Sequence, residues 1–285
     1  MKIDTIVEDM YRVVQGKGGW NGMLGSHMGT AISLLANSSF SKPQEPRRYL
    51  SLSSLGSNCA RKTWYRINSD EHQEEHDGPT LLKFFYGHML EELVLSIVDA
   101  SGHSLTGQQD RLDCYGVKGH RDCVIDGMTV DVKTASPYTF KKFQDGKLRE
   151  DDPFGYLSQM GSYIAAAKDD PLVTNKTHGA FLVLNKVSGE LCLDVHDMTE
   201  AVANKEAEIK AAQKMVAGPM PTERLAPVPQ SKDSPNTKLC LSCNFCSHSK
   251  ECWPEGRTFR YSFGDVTLID VVNKPRVEEV TDHAQ

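Results

Sequence analysis

Residues 117–133 read Val-Lys-Gly-His-Arg-Asp-Cys-Val-Ile-Asp-Gly-Met-Thr-Val-Asp-Val-Lys, and the Asp126-Gly127 pair near the middle constrains the fold more than any other feature. A two-residue type I′ turn needs positive φ at both central positions, which Asp-Gly supplies readily. With the reversal at 126–127, Ile125 pairs with Met128 and Asp122 falls opposite Asp131 in a hairpin spanning about 115–134. Opposed residues of an antiparallel pair share a face, so His120, Asp122, Asp131 and Lys133 point one way. Val117, Cys123, Ile125, Met128, Val130 and Val132 make the other, apolar face the core side, with Arg121 its one misfit.

Two carboxylates about 5 Å apart repel by roughly 3 kcal/mol at an effective dielectric of ~20. Such a pair persists where a cation sits between the acids or where one of them holds a proton. Hard oxygen ligands that close favour Mg²⁺ or Mn²⁺. For an arbitrary acid pair, a polar, salt-screened hairpin face is the commoner explanation. Here the Asp-x-Lys ending weighs against it.

The chain of 285 residues can bury one substantial α/β core with a small appendage. No apolar run approaches membrane-spanning length, and the first residues, Met-Lys-Ile-Asp, lack the apolar core of a signal peptide, so the expectation is a cytoplasmic protein with no membrane partner. In that compartment clustered cysteines read as metal ligands rather than disulfides. The net charge of −6 is neutral on nucleic-acid binding, because phosphate attraction depends on the nearby field. Candidate basic strips are Arg61-Lys62, Lys141-Lys142 and Lys147 with Arg149, although each alone is more often a solvated surface.

Apolar spacing predicts helices over 6–14, 30–35, 53–67, 80–100, 154–167 and 198–216, with Ser101-Gly102 stopping the fourth and Asp152-Pro153 opening the fifth. Residues 16–29 are Gly-rich, 37–48 read as a linker and 219–235 as a Pro-rich connector. A second hairpin joins 179–187 to 190–196 through Ser188-Gly189, and 259–272 reads as an edge hairpin. This order predicts an α/β fold with a mixed central sheet flanked by helices rather than a doubly wound parallel one. The expected division is a helical extension over 1–48, a core over 49–252 and a tail over 253–285.

Asp122, Asp131 and Lys133 fit the pattern Asp-x(n)-(Asp/Glu)-x-Lys, and here the chain resembles the PD-(D/E)XK nuclease superfamily, whose restriction-endonuclease-like core carries the acids on a central hairpin. Gly87-His-Met-Leu-Glu91 resembles the first motif of RecB-like and phage lambda-type exonucleases, and Gln159-Met-Gly-Ser-Tyr163 the QxxxY motif of the RecB-like branch. Gln159 and Tyr163 share a helix face, from which they can reach a substrate strand or brace the site. Two departures stand out: Arg121 replaces the usual Pro, and Asp131 is one methylene shorter than Glu.

The resemblance implies a metal-dependent DNA exonuclease acting on DNA ends in recombination, repair or phage DNA metabolism. It would work in the cytoplasm, a host's if phage-encoded, with a helicase, recombinase or single-strand-binding protein as compatible partners. Asp122, Asp131 and the carbonyl of Val132 would hold Mg²⁺ or Mn²⁺, with Glu91 joining directly or through water, and Lys133 would orient or help deprotonate the attacking water. Gln159 and Tyr163 are the implied substrate-binding residues.

Cys240, Cys243, Cys246 and Cys252 form a dense cluster too close in sequence for core packing, and four thiolates suit zinc or an iron–sulfur cluster. The spacing of Cys243, Cys246 and Cys252 resembles the C-terminal part of the iron–sulfur clasp of the CRISPR-associated nuclease family and of AddB-type helicase-nucleases. Their fourth ligand lies far upstream, where this chain has Cys59, so the resemblance implies a [4Fe-4S] cluster on Cys59, Cys243, Cys246 and Cys252. A local zinc knuckle that uses Cys240 instead of Cys59 is the alternative. Cys114, Cys123 and Cys192 read as small buried hydrophobes. Outside the enzyme class, the cysteines alone would fit an iron–sulfur or zinc DNA-binding protein, or an electron carrier, without nuclease activity.

Overall fold

The computed structural model describes residues 2–41, 48–69 and 78–280. In chain order the elements are α1 (Ile6–Val14), α2 (Gly22–Phe40), α3 (Ala60–Asn68), α4 (Gly78–Ala100), β1 (Leu105–Thr106), β2 (Arg111–Cys114), β3 (Val117–His120), β4 (Cys123–Ile125) and β5 (Met128–Ala135). There follow α5 (Pro137–Gln144), α6 (Tyr156–Ala166), β6 (His178–Asn185), β7 (Leu191–Asp197), α7 (Thr199–Ala217), β8 (Val228–Pro229) and β9 (Thr237–Lys238). The last are α8 (Leu241–Asn244), α9 (Ser249–Cys252), β10 (Arg257–Tyr261), β11 (Gly264–Leu268) and β12 (Glu279–Val280). Two compact units emerge, one of residues 1–46, 50–56 and 75–213, the other of 47–49, 57–74 and 214–285.

The first unit is built on a five-stranded mixed sheet in the order β1-β4-β5-β6-β7, in which β5 and β6 are parallel and the other neighbours antiparallel. The turn forms as the sequence predicts, with φ 48° at Asp126 and 80° at Gly127, and Ile125 opposite Met128. Asp126 does more than turn the chain. Its carboxylate accepts a hydrogen bond from Ser104 N (2.9 Å) and meets His103 Nδ1 at 2.6 Å. The buried His103 ring also lies 3.4 Å from Asp9 Oδ2, so the hairpin tip is tied to α1.

Cys123, Ile125, Met128, Val130 and Val132 face the core as expected, packing with Val94, Leu95 and Val98 of α4 and with Ile6 and Met10 of α1. Each such side chain contributes about 1.5–3 kcal/mol by burial. The N-terminal stretch is therefore core in its α1 portion, not an extension. The other side of the sheet packs Ala135, Phe181 and Val183 against Phe140 and Phe143 of α5 and Met160 and Ile164 of α6.

The predicted 115–134 hairpin is shorter than expected. β3 leaves the central sheet and pairs with β2 in a separate two-stranded ribbon, whose Leu112, Cys114 and Val117 pack with Leu52, Tyr163 and Ile209. His120 sits exposed opposite Arg111 and does not join the acids. Arg121 forces the break. Its guanidinium is buried and needs charge partners, which it finds in Asp110 and Asp170, each at 2.6 Å.

Other boundaries shift for local reasons. Helix α2 replaces the predicted glycine-rich loop and short helix, because the Asn21 side chain caps it by accepting from Met23 N and Leu24 N. Half of the expected linker, residues 42–47, lies outside the described residues. Helix α3 begins at Ala60 rather than 53, with Cys59 as its N-cap. In the second unit the expected tail supplies β10, β11 and β12 to an antiparallel sheet ordered β12-β10-β11-β9-β8. Its predicted edge hairpin is thus central, since β12 and β9 pair outside it. No helix among the described residues is long and apolar enough to cross a membrane.

A Cβ at Gly127 would stand 2.1 Å from Thr174 Oγ1, at a φ that L residues avoid. Gly127→Ala should therefore lower unfolding stability by about 1–3 kcal/mol, read from urea midpoints at constant m.

Candidate functional site

The first unit gathers four of the predicted residues at one place. Asp122 directly precedes β4, on the rung beyond Cys123 and Val130, and its Oδ2 accepts a hydrogen bond from Val132 N at 2.9 Å. Asp131 is buried in the middle of β5, next to Phe181 of β6. Lys133, two residues on, forms an ion pair with Asp131 Oδ2 and sits 5.1 Å from the centre of the Tyr156 ring. Glu91 comes from α4, which passes close to β5 at Gly87, where a Cβ would lie 3.8 Å from Thr134 Oγ1. The Glu91 carboxylate accepts from Gln109 Nε2 at 2.9 Å and lies 3.8 Å from His88 Nδ1.

Electrostatics tie these groups together. Burial pushes the Asp122 carboxyl well above the usual carboxylate range, and the charges of Asp131 and Glu91 push it further. Burial likewise raises Asp131, with Lys133 pulling back and Glu91 adding to the rise. Burial opposes the charge on Lys133, but Asp131 and Asp122 outweigh it, so its ammonium is held above the ordinary lysine value. Three acids thus converge on one base. Lys133 and Asp122 are the groups that meet the buried Asp131 carboxyl.

That donor set suits a hard divalent cation, which prefers carboxylate oxygen and would supply the missing positive charge. The side chains are not set around one now. Among the described residues, no three His, Cys, Asp or Glu groups form a ready-made metal cage. Lys133 is the visible obstacle, since it occupies Asp131, while the Val132 amide and Gln109 each take one oxygen of Asp122 and of Glu91. Binding a cation would exchange at least the Lys133 contact.

Gln159 and Tyr163 lie on α6, where Gln159 Nε2 donates to the Tyr163 hydroxyl at 2.7 Å. Tyr163 is only 3% exposed, and burial with the nearby charge of Asp131 pushes its phenol up to about 12. It is therefore placed to brace the site from within, while the half-buried Gln159 is the more accessible of the two. Tyr156, three residues before Gln159, was not singled out from the sequence. Its one signal is that it shares the helix face of Gln159 and Tyr163.

The three lysines of the 141–147 strips meet acids. Lys141 pairs with Asp145 (2.9 Å), Lys142 with Asp151, and Lys147 approaches Asp145 at 4.0 Å around a groove of about 320 Å³. Arg149 donates to the Asp197 carbonyl, and Arg61 donates to the carbonyl of Pro221 and the hydroxyl of Tyr65.

In the second unit Cys59, Cys243, Cys246 and Cys252 line one small cavity with Tyr65, His248 and Trp253. Cys240 is not part of that lining, although it neighbours Cys243. Burial, then the neighbouring Cys240 thiol, pushes Cys243 up to about 12, and burial also raises Cys246 and Cys252. These groups are protonated thiols at neutral pH, so loading with a soft or borderline metal would release protons. Of the remaining cysteines, Cys114 and Cys123 are buried as expected and Cys192 is half-buried.

No family model matches this chain, and no curated protein does. Five solved chains resemble it. One is a phage-related exonuclease from Haemophilus somnus 129PT, 13% identical with a TM-score of 0.44, covering 63% of this chain and 96% of that one. Another is SSO0001, 12% identical with a TM-score of 0.38, covering 81% of this chain and 96% of its own. At such scores the likeness carries no functional weight.

The raised Asp122 has a stability consequence. A carboxyl whose folded pKa exceeds its unfolded value stabilises the fold below about pH 4 and loses that contribution as pH rises through the folded value. Without divalent ions, stability should fall as pH climbs from 4 towards neutrality. Asp122→Asn should flatten that fall and raise the melting point at pH 7 by roughly 2–4 °C, measured by circular dichroism.

Proposed function

We propose that this chain is a metal-dependent nuclease of the PD-(D/E)XK type that hydrolyses phosphodiester bonds at DNA ends. One observation carries the reading: Asp122 and Asp131 meet beside Lys133 with the charge of Glu91 acting on both, and burial holds both aspartates above the usual carboxylate range. A protein that used these residues only structurally would have no reason to gather two acids on one lysine with a third acid's charge acting on both.

Asp122, Asp131, Glu91 and the Val132 carbonyl are the residues that would hold Mg²⁺ or Mn²⁺. When bound, such an ion supplies Lewis acidity towards the phosphate and lowers the pKa of a coordinated water. Lys133, relieved of its pairing with Asp131, has an ammonium available to orient the attacking water and offset charge growing on the phosphate. Tyr156 limits where that ammonium can swing, because Lys133 packs on its ring. Arg in place of Lys133 would not serve, since a planar guanidinium is larger and presents a fixed fork of donors rather than a compact ammonium. Tyr163 and Gln159 keep the α6 side of the site in place, and Gln159 is the member able to approach a strand.

The exonuclease assignment, and a helicase, recombinase or single-strand-binding protein as partner, rest on the resemblance of residues 87–91 and 159–163 to the RecB-like branch. Within the same proposal, Cys59, Cys243, Cys246 and Cys252 hold a [4Fe-4S] cluster, with zinc as the alternative. The shared cavity favours this set over the local one containing Cys240. A DNA-binding protein or electron carrier without nuclease activity would leave the buried acids without a role.

End-labelled single- and double-stranded DNA incubated with Mg²⁺ or Mn²⁺ tests the site. Lys133→Ala should slow cleavage by about 10²–10⁴-fold, and Asp131→Ala should abolish it, with DNA binding in Ca²⁺ largely retained. Wild-type rates in either variant would refute the assignment. For the thiols, Cys59→Ser should lose bound iron or zinc by elemental analysis while Cys240→Ser keeps it. The opposite result would select the local knuckle. Brown colour with absorption near 400 nm separates an iron–sulfur cluster from zinc.

A further inference from the structure

Gln109 lies in the turn between β1 and β2 with φ 53°, the left-handed region that residues with a side chain seldom adopt. Gly107, two positions earlier, has φ 59° and meets the same demand at no steric cost. A turn that needed only positive φ at 109 would be served by glycine or asparagine, so a glutamine held there calls for a role for its side chain.

Two hydrogen bonds supply that role. The Gln109 backbone N–H donates to the Asp122 carbonyl at 3.0 Å, and its side-chain Nε2 donates to Glu91 Oε1 at 2.9 Å. One residue thus links the acid of α4 to the backbone of the acid that precedes β4. The turn is itself anchored, since Arg121 Nε donates to the Gly107 carbonyl at 3.2 Å and Arg121 N donates to the Asp110 carbonyl at 3.2 Å. The strained backbone is therefore held from both sides. Gln109 takes Oε1 with an amide, which adds no charge, and Oε2 lies 3.8 Å from His88 Nδ1.

We infer that Gln109 is a positioning residue that presets Glu91 alongside Asp122 and Asp131 for the divalent cation. This rests on the metal-dependent reading of the site. Glu91 sits on a helix and the other two acids on the hairpin region, so nothing in the β-ladder itself fixes the distance between them. The Gln109 amide is the hydrogen-bonded link from Glu91 to that region, and a partner that orients a ligand carboxylate is worth about 10–100-fold in metal affinity.

Binding of Mn²⁺ followed by the electron paramagnetic resonance signal of the free ion tests this without relying on cleavage. The proteins are wild type, Asp131→Asn, Gln109→Met, which keeps side-chain length but removes the donor, and Gln109→Gly, which removes the donor and relieves the backbone. Asp131→Asn should lose the wild-type site. Both Gln109 variants should bind Mn²⁺ about 10-fold more weakly, while Gln109→Gly melts at or above the wild-type temperature, which shows that the loss is not unfolding. Mn²⁺ affinity within about twofold of wild type in both Gln109 variants would overturn the inference and leave the metal site standing. Absence of any wild-type Mn²⁺ site sensitive to Asp131→Asn would instead overturn the metal reading, and the role of Gln109 with it.

Discussion

Burying Asp131 removes a carboxylate from water, and charge in that position is costly unless something counters it. Lys133 counters it in this structure, Tyr156 packs against Lys133, and the Val132 amide steadies the neighbouring Asp122. Around this one charge the first unit places a helix, a hairpin and a turn. The imbalance left over, with more acid than base, is what raises both carboxyls above their usual range.

The scaffold makes that arrangement reproducible. Parallel pairing of β5 with β6 buries the middle of β5 on both faces, where Asp131 sits beside Phe181. The tip of the hairpin is held through Asp126 and His103, so the register opposite Asp122 has little freedom to slip. Helix α4 packs its C-terminal half in the core and brings Glu91 from its middle, which explains why one helix can serve both packing and the site. The second unit has its own logic. Its core is small, formed around Leu239, Cys243 and Trp253, and four thiols joined by a metal would add cross-links that so little apolar packing cannot supply.

Local chemistry made much of this legible beforehand. Asp126-Gly127 permits few conformations, so the turn, the opposed acids and the apolar face of the hairpin follow from residue type and alternation alone. The Gln159 and Tyr163 pair follows from helical period, and the Cys243, Cys246 and Cys252 spacing marks itself. What misled was likewise physical. Glycines in 22–29 argue against a helix by propensity, yet the Asn21 cap and contact with α4, including Phe40 against Phe85 at 4.8 Å, outweigh them. The apolar alternation of 117–132 hides a break at Arg121, because alternation carries no information about which partner strand each half will choose.

The amino-acid order by itself determined the tight reversal, the facing of Asp122 towards Asp131, the position of Lys133 beside them and the clustering of thiols, since each depends on residues close in sequence. Only the tertiary structure decided that Arg121 turns inward to Asp110 and Asp170, that α1 completes the core, that Tyr163 is buried, and that Gln109 meets Glu91. Those contacts join segments far apart along the chain. Their geometry is set by how whole elements pack to bury apolar surface and compensate charge, which no local pattern encodes.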